Sequence, residues 1–212
     1  RPSPMLLGGL MLVVGCVVGG AVVRLAGAVP WQNVDDRWAA LVIASAPLTS
    51  ITEVAALGLA ALVGVVGAVL VGGIAVLLAI RGQWLRAALL ALTPIVVAGA
   101  VALLKAWVAR GRPEDMLVAM ASSSYPSGHS AHAAALAAMA MLIVPAAARR
   151  RWWPLAAALV LAMMGSRTHL GVHWLSDTIG GALLGAGLAI LLGWAAWPGL
   201  APPSGMAKAR DS

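Results

Sequence analysis

Six apolar stretches set the limits on what this chain can fold into. They run over residues 5–28, 52–80, 85–109, 128–146, 153–166 and 174–197. A helix needs about 20 apolar residues to cross the hydrocarbon core of a bilayer, and all but the fifth stretch come near or pass that length. The residues left over cannot solvate a water-facing surface. Only 10% of the chain is charged while 62% is hydrophobic, against about a quarter charged in soluble domains. The expected fold is therefore all-α: an integral membrane bundle of six transmembrane helices. Residues 1–198 form one domain, and 199–212, with Pro202, Pro203 and Gly205, form a flexible tail.

Other features fit this layout. The nine tryptophans fall at or near the proposed helix ends, where indole rings meet the headgroup layer. Gly15-xxx-Gly19 and Gly181-xxx-Gly185 have the spacing that lets membrane helices approach closely. Cys16, the single cysteine, sits in an apolar run, forms no intrachain disulfide and reads as packing. Ala26-Gly27-Ala28 resembles a signal-peptidase site, but its apolar part is longer than a signal core, so a retained first span is expected. The opening Arg1 suggests a processed or trimmed start. A second possible helix, over 34–46, is either interfacial or a plain loop.

The net charge of +7 does not point to nucleic acid, because the basic residues lie in short loops between apolar runs. Six spans place both termini on one side with the loops near 81–84 and 147–152. That side collects Arg1, Arg81, Arg86, Arg149, Arg150, Arg151, Lys208 and Arg210. The other side carries Arg24, Arg37, Lys105, Arg110, Arg112 and Arg167, with most of the acids: Asp35, Asp36, Glu53, Glu114, Asp115 and Asp177. The positive-inside rule puts the termini in the cytoplasm.

Polar residues at membrane depth are costly and tend to be functional, and here they form three clusters. The first is Lys105 to Pro113, the second Tyr125-Pro126-Ser127-Gly128-His129, the third Ser166-Arg167 with His173 and Asp177. All three fall on the extracytoplasmic side of the six-span layout. Lys105, Arg112 and Arg167 supply three cations for a phosphate and its developing charge, with arginine offering a planar fork. Ser127 and Gly128 open a helix whose N-terminus suits an anion, and Gly128 leaves the backbone accessible. His173 and Asp177 are four apart, hence on one helix face. The aspartate can accept from one ring nitrogen and leave the other as a nucleophile. His129 suits protonation of a leaving alkoxide and later activation of water. No carboxylate or cysteine cluster suggests a metal, and no cofactor is expected.

These residues closely match a known pattern. K-x6-RP fits Lys105 to Pro113, PSGH fits Pro126 to His129, and SR-x5-H-x3-D fits Ser166 to Asp177. The sequence thus resembles the type 2 phosphatidic acid phosphatase superfamily, which also includes bacterial acid phosphatases and vanadium haloperoxidases. The resemblance implies that His173 is the nucleophile, Asp177 its orienting partner and His129 the general acid. It also implies that Lys105, Arg112, Ser127, Gly128 and Arg167 hold the phosphate without a metal. Membrane members are six-helix lipid phosphatases, which implies a bacterial cytoplasmic-membrane enzyme acting on a lipid in the bilayer. The preferred substrate is a polyprenyl (undecaprenyl or decaprenyl type) phosphate or diphosphate. Phosphatidylglycerol phosphate or phosphatidic acid is the alternative. A haloperoxidase and a non-catalytic scaffold or lipid transporter are the other readings.

Several polar residues lie outside the pattern. His132, one turn after His129, either supports it or is a tolerated polar residue facing the bundle interior. His169 reads as a solvated loop residue, and Ser122-Ser123-Ser124 as loop composition or a phosphate contact. Arg110 either attracts anionic headgroups or anchors the interface. Arg149-Arg150-Arg151 reads as a topology signal.

Overall fold

The computed structural model describes residues 3–45, 50–61, 64, 67–114, 116–144 and 146–196. These residues form eight helices: α1 Pro4–Leu25, α2 Gln32–Ser45, α3 Ser50–Ala61, α4 Gly67–Ile80, α5 Trp84–Val108, α6 Gly128–Ile143, α7 Ala146–His169 and α8 Leu175–Ala195. Among the described residues there is no strand. The tail 199–212, Arg1, Asp115 and Trp197 lie outside them.

Local chemistry sets several helix ends. The Ser3 hydroxyl accepts from Leu6 N at 3.2 Å and Pro4 occupies the first turn, where proline lacks only a hydrogen bond that the helix could not make. α5 stops where Ala109 turns left-handed, at φ 52°. At the start of α8 the Asp177 carboxylate reaches back to the backbone N–H of Trp174, at 2.9 Å, satisfying one of the donors a helix start leaves free.

Among the described residues three helices, α1, α5 and α8, are long and apolar enough to cross a membrane by length and composition, against six expected spans. α6 has 16 residues, and α7 has the length but begins with Arg149, Arg150 and Arg151. The arginine run hid this start: 153–166 was expected, yet arginine is a good helix former, so the helix extends to both sides. Within the stretch 52–80 the described residues include α3, packed against α7, and α4, packed against α5. The segment 34–46 is helical, as α2, which packs across α7 and α8. Many large apolar side chains face outward, among them Met11, Val18, Ile95, Leu103 and Leu161. A surface so apolar is suited to lipid rather than water.

α6 and α8 form the centre, with α1 and α5 beside them and α7 behind α6. A Cβ on Gly181 would collide with the backbone of Ser127, and one on Gly185 with the backbone of Ala131. The two helices therefore meet backbone to backbone, the arrangement that small residues permit in membrane bundles. Gly15 has no such role, since its Cβ would meet only Leu183 at 3.7 Å, and Gly19 faces the Tyr125 hydroxyl. Tyr125 is buried between α1 and α8 and donates to the Cys16 carbonyl at 2.7 Å. Cys16 itself is buried in the core.

The C-terminal ends of α5 and α7 and the N-terminal ends of α6 and α8 converge at one end of the bundle. Arg149–Arg151 lie at the opposite end of α7 from Arg167, about 25 Å away at 1.5 Å per residue. Gly185→Leu is expected to lower the melting temperature in detergent by several degrees, since forcing bulk into a packed crossing costs roughly 1–3 kcal/mol or more. Gly8→Ala, whose Cβ meets nothing within 4 Å, should melt like wild type; equal melting of both variants would contradict the close crossing.

Candidate active site

Ser127 is completely buried, and its N–H donates to the Asp177 carbonyl at 2.9 Å. This bond ties the start of α6 to the first turn of α8. The Ser127 hydroxyl caps no backbone N–H of α6 and instead lies 3.1 Å from the Ser130 hydroxyl. The first turn of α6 thus keeps its N–H groups without a side-chain cap. A Cβ on Gly128 would meet only Val101, at an ordinary 3.5 Å. The protein's own packing does not demand glycine there, so the open space belongs to whatever approaches the helix start.

His173 lies in the connection between α7 and α8, 4% exposed, with Nδ1 3.6 Å from Oδ2 of the fully buried Asp177. At that distance Nδ1 makes no hydrogen bond in this structure. Burial pushes the His173 imidazole below its usual pKa, Asp177 pulls it up, and Lys105 and Arg112 push it down again. The ring is therefore neutral near pH 7, the form with a free lone pair. His129, the second residue of α6, has Arg167, His173, His132 and Lys105 as electrostatic neighbours. Residues from all three sequence clusters thus share one site.

The cations are held by backbone oxygens. Lys105 donates to the Ser123 carbonyl and, at 3.3 Å, to that of Ser124. Arg112 donates to the Val172 carbonyl, to the Ser122 carbonyl at 2.7 Å and to the Ser122 hydroxyl at 3.2 Å. Residues 122–124, expected as loop or phosphate contact, serve here to aim the two cations. Arg167 is buried and bonds to the Ser166 hydroxyl at 3.1 Å, but its Nε has no partner among the described residues. A buried guanidinium N–H without an acceptor is costly and marks where an anion would be welcome.

Two side chains, Arg110 and His169, depart from the sequence expectation, while His132 faces the bundle interior, one of its two expected placements. Arg110 neither anchors an interface nor faces headgroups. It is buried, donating to Asp177 at 2.7 Å and to Asp35 at 2.8 Å. His169 is the last residue of α7, and its Nε2 is buried without a partner rather than solvated. His132 places Nδ1 2.8 Å from the Gly128 carbonyl and Nε2 3.3 Å from that of Pro94, so it braces α6 against α5. An apolar cavity of about 590 Å³ opens beside His132, lined by Val71, Leu90, Leu136 and Met139 and bordered also by Gly128 and His129.

A sequence profile of the PAP2 superfamily matches residues 83–198. A search of the curated proteins found no match. Among solved structures, the chain is similar to a transmembrane PAP2-type phosphatidylglycerolphosphate phosphatase from Bacillus subtilis. The TM-score is 0.74 and the identity 22%, covering 92% of this chain and 98% of that one; at this identity the likeness shows the fold.

Replacing Asp177 with asparagine removes the charge that favours the imidazolium form of His173. The imidazole pKa then falls, so the acid limb of the kcat/KM profile is expected to move to lower pH, on the order of one unit, with a reduced plateau. A pH–rate series on both enzymes checks this; an unmoved limb would show that Asp177 does not act on the titrating group.

Proposed function

We propose, for a chain that belongs to the PAP2 superfamily and is thereby a membrane lipid phosphatase, that hydrolysis proceeds through a phosphohistidine on His173. Asp177 faces Nδ1, which leaves Nε2 to attack phosphorus. As the N–P bond forms, the bond from phosphorus to the leaving oxygen breaks, and His129 gives that oxygen its proton. Water then attacks the phosphohistidine, His129 takes a proton from it, and the N–P bond breaks to release inorganic phosphate. Lys105, Arg112, Arg167 and the uncapped start of α6 hold the phosphoryl oxygens. Fixed cations are worth most where charge develops away from water, and the proposed reaction needs no metal.

The observation that carries this reading is the convergence of His129, His173 and Arg167, with the unpartnered Arg167 Nε, where His129 borders an apolar cavity. A phosphate at the cations leaves a lipid tail to enter that cavity and the bilayer beyond. The loop charges favour a cytoplasmic membrane of a bacterium with this end of the bundle on its outer face. An extracytoplasmic site favours a polyprenyl phosphate or diphosphate, which is reused after losing phosphate there. Phosphatidylglycerol phosphate is the second reading, favoured by the fold shared with the Bacillus subtilis enzyme.

Phosphate release from a panel of polyprenyl diphosphate, phosphatidylglycerol phosphate and phosphatidic acid ranks the substrates. The polyprenyl lipid is expected first, and a higher kcat/KM for phosphatidylglycerol phosphate would reassign the enzyme. His173→Ala is expected to lose roughly a thousandfold or more in kcat; turnover equal to wild type would refute the nucleophile. Activity should persist in EDTA, and its loss there would contradict a metal-free reaction.

A further inference from the structure

α2 packs across α7 and α8 and delivers a buried carboxylate to the back of the site. Asp35 is 1% exposed. Its Oδ1 accepts from the Ser176 N–H at 2.9 Å, and its Oδ2 from the Ser176 hydroxyl at 2.6 Å and from Arg110 at 2.8 Å. Arg110 spends its other arm on Oδ1 of Asp177 and on the Ser176 hydroxyl, both at 2.7 Å, and also reaches Gln32 at 2.8 Å. One guanidinium is thus shared by two carboxylates, and the second carboxylate belongs to the pair with His173.

We propose that Asp35 is a positioning residue for phosphoryl transfer, acting through Arg110 to fix Asp177 and to keep its negative charge available to His173. This rests on the reading of His173 as nucleophile. The physical case is one of charge balance. Arg110 and Asp177 alone would form a neutral pair, and in a buried site that pairing would cancel most of the field at the imidazole. Asp35 accepts one of the four hydrogen bonds that Arg110 donates and gives the trio a net charge of −1. The imidazole is faced by Asp177 from α8, Lys105 from α5, Arg112 from the 109–127 connection and His129 from α6. Two of these, Lys105 and Arg112, are cationic, so the residual negative charge is what stabilises the imidazole as it gains positive charge in the attack. Geometry adds to this. Ser176 and Asp177 are adjacent, and both are bonded to the Asp35–Arg110 pair, so the backbone that carries the Asp177 side chain is clamped on two sides.

Asp35→Asn keeps the shape and removes the charge. In the detergent phosphatase assay, kcat is expected to fall about tenfold with KM little changed, since only the transition state is affected. The acid limb should move to lower pH by about half a unit, in the same direction as for Asp177→Asn and by less. Asp35→Glu, which restores the charge, should return the limb to its wild-type position. Asp35→Ser carries the same expectation as Asp35→Asn should the asparagine variant not yield folded protein. In an Asp177→Asn background, Asp35→Asn should cost little more, because the group through which it acts is already gone. An unchanged kcat and limb in Asp35→Asn would overturn the proposal, as would the same fold-loss with and without Asp177. Failure of the nucleophile reading looks different: His173→Ala would then stay active. An inactive His173→Ala beside a fully active Asp35→Asn removes only the role of Asp35.

Discussion

The site depends on one crossing. α6 and α8 touch backbone to backbone because Gly181 and Gly185 carry no side chain, and the Ser127 N–H reaches the Asp177 carbonyl across that contact. The same crossing thus places His129, at the start of α6, opposite Asp177 and His173, at the start of α8. A larger residue at either glycine would push the two helix starts apart. The uncapped start of α6 and the proposed nucleophile would separate with them. Membrane helices lack a hydrophobic drive to associate, so close packing of this kind is what holds them.

Around that crossing the protein gathers charge where charge is costly. Lys105 and Arg112 are held by carbonyl oxygens of the 122–124 and 172 backbone, and Arg110 by two buried carboxylates. Such preorganisation means that the cations need little rearrangement when an anion arrives. Arg167 retains a buried N–H without an acceptor, a cost that a bound phosphoryl group would relieve. The apolar cavity against His129 joins this polar end to the lipid-facing body of the bundle.

The sequence made some of this legible. The ends of α1, α5 and α8 lie within a few residues of the apolar stretches that foretold them, because hydropathy along a helix is a local property. The motif residues could be grouped because each cluster falls at a stretch end. Partner choice was not legible. Nothing in the uniformly apolar run 52–80 says that its first part packs on α7 and its second on α5. Gly15-xxx-Gly19 and Gly181-xxx-Gly185 have identical spacing, but only the second meets a backbone. The Arg110–Asp35 pair joins residues 75 positions apart, and no local pattern announces which loop charge will be buried with which. A faint signal existed: Arg110 and Asp35 both lie on the side that holds the three clusters.

The central claim is that a covalent phosphoryl–enzyme forms on His173. The direct measurement is to mix the purified enzyme with lipid substrate labelled in the transferred phosphate, quench in alkali, where phosphohistidine survives, and map the label by peptide. The account predicts label on the peptide containing His173, and none in His173→Ala. Label on another residue, or single-turnover release of phosphate with no labelled protein at any quench time, would contradict it.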